Sequence, residues 1–221
     1  MGVDVTRRAT WILMALLLPA VAGADVLSGT VTTKVRAGAT ASAIVVYAEP
    51  LSGSAPAAPA KSYAIAQKNK SFSPRVLGVP VGATVTFPND DEIFHNVFSL
   101  TTGQAFDLGL YRAGASKSRT FTTPGVVRVF CNIHPQMTAL VVTAATPWIT
   151  TAAADGTWRL ELPAGRYRVT ALSERAAPVT AEVSVAGTAT AALALDESAF
   201  VAAPHSNKFG KPYPDAAYKP Q

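Results

Sequence analysis

Short stretches of alternating hydrophobic and polar residues, separated by glycine, proline and serine, run through the chain after residue 24. Alternation with a period of two is typical of half-buried β-strands, and no convincing amphipathic-helix period accompanies it. The first such stretches are residues 26–35 and 43–49, and others follow closely between residues 62 and 143. The pattern predicts an all-β chain with strands and turns spaced as in a β-sandwich.

A last alternating region begins at residue 147 and is about fifty residues long. A sandwich of that size would be only marginally stable alone, because small domains bury too little of their surface. Its centre, residues 155–169, has two strands around a Pro-Ala-Gly turn and resembles carboxypeptidase-regulatory-like or transthyretin-like β modules. Residues 26–49 look like the front half of the same module. We therefore predict a central domain, residues 51–146, inserted into a smaller discontinuous immunoglobulin/transthyretin-like sandwich of residues 25–50 and 147–200.

Both ends of the chain depart from the strand pattern. Residues 1–24 contain Arg7 and Arg8, an apolar run and a small-residue end at Ala24, which is the organisation of a secretory signal. Cleavage there predicts a periplasmic or secreted protein without stable membrane insertion, while an uncleaved form and twin-arginine export stay open. Residues 201–221 contain four prolines without periodicity and predict a mostly disordered tail.

Composition and charge narrow the classes of partner. At 221 residues, with 49% hydrophobic and 15% charged residues, the chain is long enough for one or two globular domains. Its net charge is +5, but the basic residues are scattered singly, which argues against nucleic-acid binding. Residues 51–146 carry eight Lys and Arg against four Asp and Glu, so an acidic face would suit a partner. The acidic run 90–92 is either a docking element or a solvated loop.

One short motif holds most of the candidate chemistry. The β-branched and aromatic run 126–130 predicts a buried strand, and the single cysteine, Cys131, follows it directly. His134 and Met137 come next at steps of three, so one tight turn can aim a thiolate, an imidazole and a thioether at one point. His95 supplies a second imidazole from a distant segment. Two imidazoles and a thiolate with a weak axial thioether suit copper in electron-transfer proteins.

Each of these side chains also has an ordinary structural interpretation. Alone, Cys131 would be an inert buried thiol, Met137 a core residue, and each histidine a satisfied turn residue. Structural zinc is a further alternative, although a thioether is a poor zinc ligand. The joint pattern favours a metal site, because two of the three histidines accompany the only cysteine. Export strengthens this interpretation, since an unpaired thiol is a liability in an oxidising compartment.

The chain resembles the cupredoxin (blue copper) family, and within it the amicyanins, over about residues 62–143. The resemblance rests on two motifs, Cys131-x-x-His134-x-x-Met137 and His95-Asn96-Val97. Exported plastocyanin-like proteins of the methylamine-utilisation type look closest, since they also append a second β module. The resemblance implies a Greek-key β-sandwich and one type 1 copper ion. Its implied ligands are His95, Cys131, His134 and Met137.

The same resemblance implies roles for neighbouring residues. Asn96 would tie the two ligand segments together and donate a hydrogen bond toward the thiolate, although an ordinary turn asparagine is the alternative. His134 is the ligand expected nearest the surface. Phe94, Ile133 and Pro135 would form an apolar rim around it, where a redox partner docks transiently.

These features predict an exported electron carrier and not an enzyme, with partners such as a c-type cytochrome or a periplasmic dehydrogenase. The alternative is a copper-binding or delivery protein, or an accessory factor whose second β domain recognises a partner. Methionine-rich motifs would favour delivery, but Met137 is the one methionine outside the predicted signal. Multicopper catalysis needs further histidines, and only His205, which we do not expect to be a ligand, is left.

Overall fold

The computed structural model describes residues 24–214, and its regular elements are β-strands, which confirms the all-β prediction. The predicted export signal lies outside this range except for Ala24. Within residues 24–214, no helix has the length and apolar character needed to cross a lipid bilayer. The strands are β1 (Asp25–Lys34), β2 (Ile44–Pro50), β3 (Tyr63–Ala64), β4 (Ala66–Lys68), β5 (Ser71–Ser73), β6 (Val76–Pro80), β7 (Thr84–Pro88), β8 (His95–Ser99), β9 (Phe106–Tyr111), β10 (Ser116–Thr120), β11 (Gly125–Phe130), β12 (Thr138–Ala144), β13 (Ile149–Thr151), β14 (Thr157–Leu162), β15 (Gly165–Ser173), β16 (Val179–Val185) and β17 (Thr188–Asp196).

The first sandwich is built from the central part of the chain. A five-stranded sheet in the order β6-β12-β11-β8-β9 and a three-stranded sheet in the order β10-β7-β3 share one core. Strand β11 pairs antiparallel with both β12 and β8, while β6 runs parallel to β12. The core includes Phe87, Val97, Val129 and Val141, and it continues to Cys131 and Met137 at one end of β11 and β12.

The second sandwich combines strands from both ends of the described chain. One sheet has the order β14-β1-β17 and the other has the order β13-β2-β15-β16, with a separate hydrophobic core between them. Strands β1 and β2 therefore pair with strands that follow the first sandwich in sequence. The domain limits, residues 51–146 and residues 25–50 with 147–200, stay a prediction, because they concern which parts fold independently.

A third core joins the two sandwiches. Val45 of β2 and Leu172 of β15 meet Leu140 and Val142 of β12, and all four are buried. The alternate residues of β2 and β12 point into the second and first cores, so both strands are buried on both faces. Gly78 of β6 lies in this contact, where an added Cβ would stand 2.8 Å from Val45 Cγ1. The close approach of the sheets therefore needs glycine there.

The expected disordered tail, residues 201–221, does not hold for residues 201–214. Hydrogen bonds and a ring stack dock this segment on the first sandwich beside Cys131. Its contacts are individual polar interactions with a distant part of the chain, and such contacts leave no periodic pattern in the sequence. Residues 215–221 lie outside the described range.

Candidate metal centre

The ligand loop, residues 131–137, closes the turn between β11 and β12. Strand β11 ends at Phe130 and β12 begins at Thr138, so the two antiparallel strands bring the ends of the loop together. The backbone N–H of Met137 donates to His134 O (2.9 Å), and that of Cys131 donates to Met137 O (3.2 Å). The strand predicted before Cys131 is confirmed, but it is only half-buried, with Val126 and Arg128 exposed. The turn after it places the cysteine and histidine side by side.

Three side chains converge by their donor atoms at this loop. The Cys131 Sγ lies 3.8 Å from His95 Nδ1 and 3.7 Å from His134 Nδ1, and the two Nδ1 atoms are 3.2 Å apart. Three donors placed about 2.1 Å from a common ion in a plane stand about 3.6 Å from one another. The observed separations therefore fit a single shared metal ion.

Met137 occupies the end of the ligand loop. Its side chain is 1% exposed and belongs to the same core as Cys131. The structure thus brings His95, Cys131 and His134 together by their donor atoms and places Met137 on the same short loop. The thioether as a fourth ligand stays a prediction.

Asp91 holds His95 by its outer ring nitrogen. His95 Nε2 lies 2.7 Å from Asp91 Oδ2, and the carboxylate also accepts the backbone N–H groups of Asn69 (2.6 Å) and Lys70 (2.9 Å). Burial alone would raise the pKa of Asp91, but these hydrogen bonds outweigh it and lower the pKa. A carboxylate that accepts Nε2–H leaves Nδ1 as an unprotonated donor facing the cluster.

This role for Asp91 was missed from the sequence, where the acidic run 90–92 suggested only docking or solvation. A usable signal existed, because a histidine that binds a metal commonly gives its other ring nitrogen to a carboxylate. Asp91 lies four residues before His95. The spacing could therefore have identified it.

The thiol of Cys131 is fully buried, and backbone N–H groups surround its sulfur. Burial raises the pKa of the Cys131 thiol, while hydrogen bonds from the backbone of Asn96 (N to Sγ, 3.5 Å), Ile133 and His134 oppose that rise. Donors aimed at sulfur favour the thiolate, which is the form that binds metals. Burial therefore disfavours a free thiolate at Cys131, and the thiol would lose its proton when a metal ion binds.

His134 is the ligand candidate nearest the surface, as expected, and is partly exposed. Burial, together with His95 and Lys70, lowers the pKa of His134 from its ordinary value. A lowered pKa keeps the imidazole neutral near pH 7, and a neutral imidazole has the lone pair that a metal needs.

Asn96 links β8 to the ligand loop. Its Oδ1 accepts the backbone N–H of Asn132 (3.3 Å), and its Nδ2 donates to Asp107 Oδ1 (2.7 Å). Burial would raise the pKa of Asp107, but hydrogen bonds from Lys208, Gly109 and Asn96 lower it. Because the backbone of Asn96 also donates to Cys131, this residue fixes the distance between the two segments that carry the histidines.

The surface beside the cluster is apolar, but one of the three residues predicted to line it is not exposed. Phe94 is 54% exposed and Ile133 is 46% exposed, as the docking rim requires. Pro135 is buried instead, and its carbonyl oxygen accepts a hydrogen bond from His205 Nε2 (2.7 Å). Leu110, which the sequence did not single out, is 54% exposed and pairs in register with Asn96.

No family model matches the chain, and no curated protein matches it. Among solved structures, it is similar to a Cu-containing nitrite reductase (NirK) from Thermus scotoductus SA-01, with 27% identity over 43% of this chain and 25% of that chain, at a TM-score of 0.37. A purple cupredoxin from Nitrosopumilus maritimus is 29% identical over 37% of this chain and 99% of its own, at a TM-score of 0.34. A variant of amicyanin in the Cu(I) state is 26% identical over 44% of this chain and 99% of its own, at a TM-score of 0.36. The chain thus spans about a quarter of the nitrite reductase. Because all three TM-scores are low, the case for a metal site rests on the side chains of this chain.

Proposed function

We propose that this chain is an exported type 1 (blue) copper protein that carries single electrons between redox partners through one mononuclear copper. The observation that carries the proposal is the convergence of the Cys131 sulfur and the Nδ1 atoms of His95 and His134 within 4.8 Å of one another. A copper ion held there would take up and release one electron by alternating between Cu(I) and Cu(II).

The donor set supports copper over structural zinc. Among residues 24–214, the cluster of histidine, cysteine and acidic donors has three members, whereas a closed structural zinc site uses four strong ligands. The remaining sulfur nearby in sequence is the buried thioether of Met137, which is a soft ligand that suits Cu(I). Thiolate, thioether and imidazole together are the combination that a site cycling between two copper states requires.

The surroundings of the ligands support electron transfer. Asp91 fixes one histidine and Asn96 fixes the spacing of the two segments, so the donors have little freedom to rearrange. Cys131 and His95 are fully buried, which keeps water from the donors. A held, dry donor set changes little on gain or loss of an electron, and the proposed role accordingly includes no substrate chemistry.

The proposed partners are exported redox proteins such as a c-type cytochrome or a periplasmic dehydrogenase. Partly exposed His134 gives an electron a short route to the surface, beside the exposed side chains of Phe94 and Ile133. A small apolar patch suits a complex that must form and separate quickly. Export itself rests on the signal predicted over residues 1–24.

The test is the visible absorption and electron paramagnetic resonance spectrum of the mature protein after addition of Cu(II), with Cys131→Ser as the control. We expect an intense thiolate-to-copper absorption band that reductant bleaches reversibly and that the variant lacks. A colourless protein that retains Cu(I) or zinc would refute the electron-carrier proposal and would support copper delivery or a structural metal.

A further inference from the structure

The chain after β17 first stays on the second sandwich. The backbone N–H of Glu197 donates to Lys34 O (2.8 Å), and Arg36 donates to Phe200 O (3.3 Å). The guanidinium of Arg175 lies over the Phe200 ring, 5.7 Å from its centroid. These contacts anchor the chain immediately before the strap, residues 201–214, on the sandwich that does not carry the metal centre.

The strap then reaches the ligand loop through His205. The imidazole stacks on Phe130, with centroids 4.0 Å apart and planes at 20°, and its Nε2 lies 2.7 Å from Pro135 O. Phe130 directly precedes Cys131, and Pro135 directly follows His134. One side chain of the strap therefore contacts the residue before Cys131 and the residue after His134.

Asn132, between the two ligands, is a second point of attachment. Its Oδ1 accepts the backbone N–H of Lys208 (3.0 Å), and its backbone oxygen accepts the Tyr213 hydroxyl (3.0 Å). Its own N–H donates to Asn96 Oδ1. Asn132 thus joins the strap to the segment that carries His95.

A third connection runs through the Lys208 side chain. Its Nζ lies 2.8 Å from Asp107 Oδ2, and Asp107 Oδ1 accepts the Nδ2–H of Asn96. The backbone N–H of Asn96 in turn donates to Cys131 Sγ. Polar contacts are therefore continuous from the strap to the thiol sulfur.

We propose that the strap positions the ligand loop, with His205 as its main positioning residue. The proposal rests on the proposed function for the meaning of the ligands, whereas the contacts themselves join groups of the chain to one another. They restrain the backbone before Cys131, between the ligands and after His134, and so reduce the conformational entropy that metal binding has to remove. The strap also ties the geometry of the metal centre to the second sandwich.

Hydrogen exchange in the metal-free protein tests the positioning directly. We expect the backbone N–H groups of residues 131–134 and 136–137 to exchange about tenfold faster in His205→Ala, which loses the stack and the hydrogen bond. In His205→Phe, which keeps a stacking ring, the increase should be about fivefold. Val201→Ala, which shortens a side chain of the same segment that is 74% exposed, is the matched control and should leave the loop unchanged. Unchanged loop exchange in His205→Ala, with β15 equally protected in all proteins, would overturn the proposal.

The copper-loaded protein separates this proposal from the proposed function. We expect His205→Ala, but not Val201→Ala, to shift the reduction potential and the thiolate-to-copper band. A wild-type protein that binds no copper, combined with faster loop exchange in His205→Ala, would refute the function and leave the strap as a positioning element. If the protein is blue but its loop exchange, reduction potential and spectrum are unchanged in His205→Ala, the strap proposal is refuted and the proposed function stands.

Discussion

Asp91 holds His95 by the ring nitrogen that faces away from the thiol. Asp91 Oδ2 and His95 Nε2 are 2.7 Å apart, whereas His95 Nδ1 lies 3.8 Å from Cys131 Sγ. The carboxylate is itself held by two backbone N–H groups, so it acts as a fixed acceptor. The orientation of a buried candidate ligand therefore depends on a residue that does not face the metal centre.

Replacing Asp91 with Asn should weaken Cu(II) binding by about 10- to 100-fold. The amide keeps the shape of the side chain but turns one acceptor oxygen into a donor, so it cannot serve His95 and both backbone N–H groups together. Competition with a chelator of known affinity measures the change. Asp90→Asn removes the same charge from an exposed neighbour and should bind copper as the wild type does. An equal loss of Cu(II) affinity in both variants would show that the negative charge, and not the orientation of His95, controls copper binding.

The exposed apolar patch gives a prediction about rates. Phe94→Glu should slow electron self-exchange between two copies of the protein by about tenfold at low salt, because the docked pair would bring two carboxylates together. Line broadening in mixtures of oxidised and reduced protein measures the rate. Leu100→Glu makes the same charge change on another exposed apolar residue, just beyond the end of β8 away from His95, and should leave self-exchange nearly unaltered. Equal slowing in both variants would place the electron exit elsewhere.

The shared core predicts that the two sandwiches unfold together. Leu140 is 1% exposed and belongs to the core between them, so Leu140→Ala should lower the free energy of unfolding by about 3 kcal/mol. Both tryptophans after residue 24, Trp148 and Trp158, pack on the second core, whereas the reactivity of Cys131 reports on the first.

Tryptophan fluorescence and thiol labelling should therefore give coincident urea transitions in the wild type, with both shifted in Leu140→Ala. Val201→Ala shortens a side chain that is 74% exposed and should shift neither transition. Two separate wild-type transitions would mean that the sandwiches fold independently despite their contact.

Local patterns in the sequence account for the strands and for half of the metal centre. Alternation with a period of two identifies most strands, and Cys131 and His134 share one loop because only two residues separate them. His95 joined them as a second imidazole from a distant segment, because the donor set needed one and the family resemblance supplied its position. The strap escaped prediction because His205 and Pro135 meet only through the folded chain, across 70 positions of sequence separation. Pro135 is buried at this contact against expectation, since no property of a proline in a turn shows what packs on it.

Glu197 gives a prediction about pH. Its carboxylate accepts both the hydroxyl and the backbone N–H of Ser42, and it anchors the chain just before the strap. Burial would raise the pKa of Glu197, but hydrogen bonds from Ser42 and Ser173 and the charge of Arg175 outweigh it, so the pKa is lowered from 4.5. A lowered pKa means that the folded state favours the carboxylate. The resulting stabilisation is complete above the ordinary pKa of 4.5 and is lost as the pH falls through the folded pKa below it.

Glu197→Gln should therefore lower the free energy of unfolding by about 1–2 kcal/mol near pH 7, since it weakens hydrogen bonds to a buried charged group. The difference from the wild type should shrink as the pH falls below 4.5, because the protonated wild-type carboxyl then resembles the amide. Urea titrations of both proteins at several pH values give this difference directly, and taking the difference cancels the protonation of other acids. Glu161→Gln removes an exposed ion pair with Arg159 and should change the free energy by less than about 0.5 kcal/mol at every pH. A Glu197→Gln difference that stays constant through this range would mean that the anchor works through shape and that the charge of Glu197 contributes nothing.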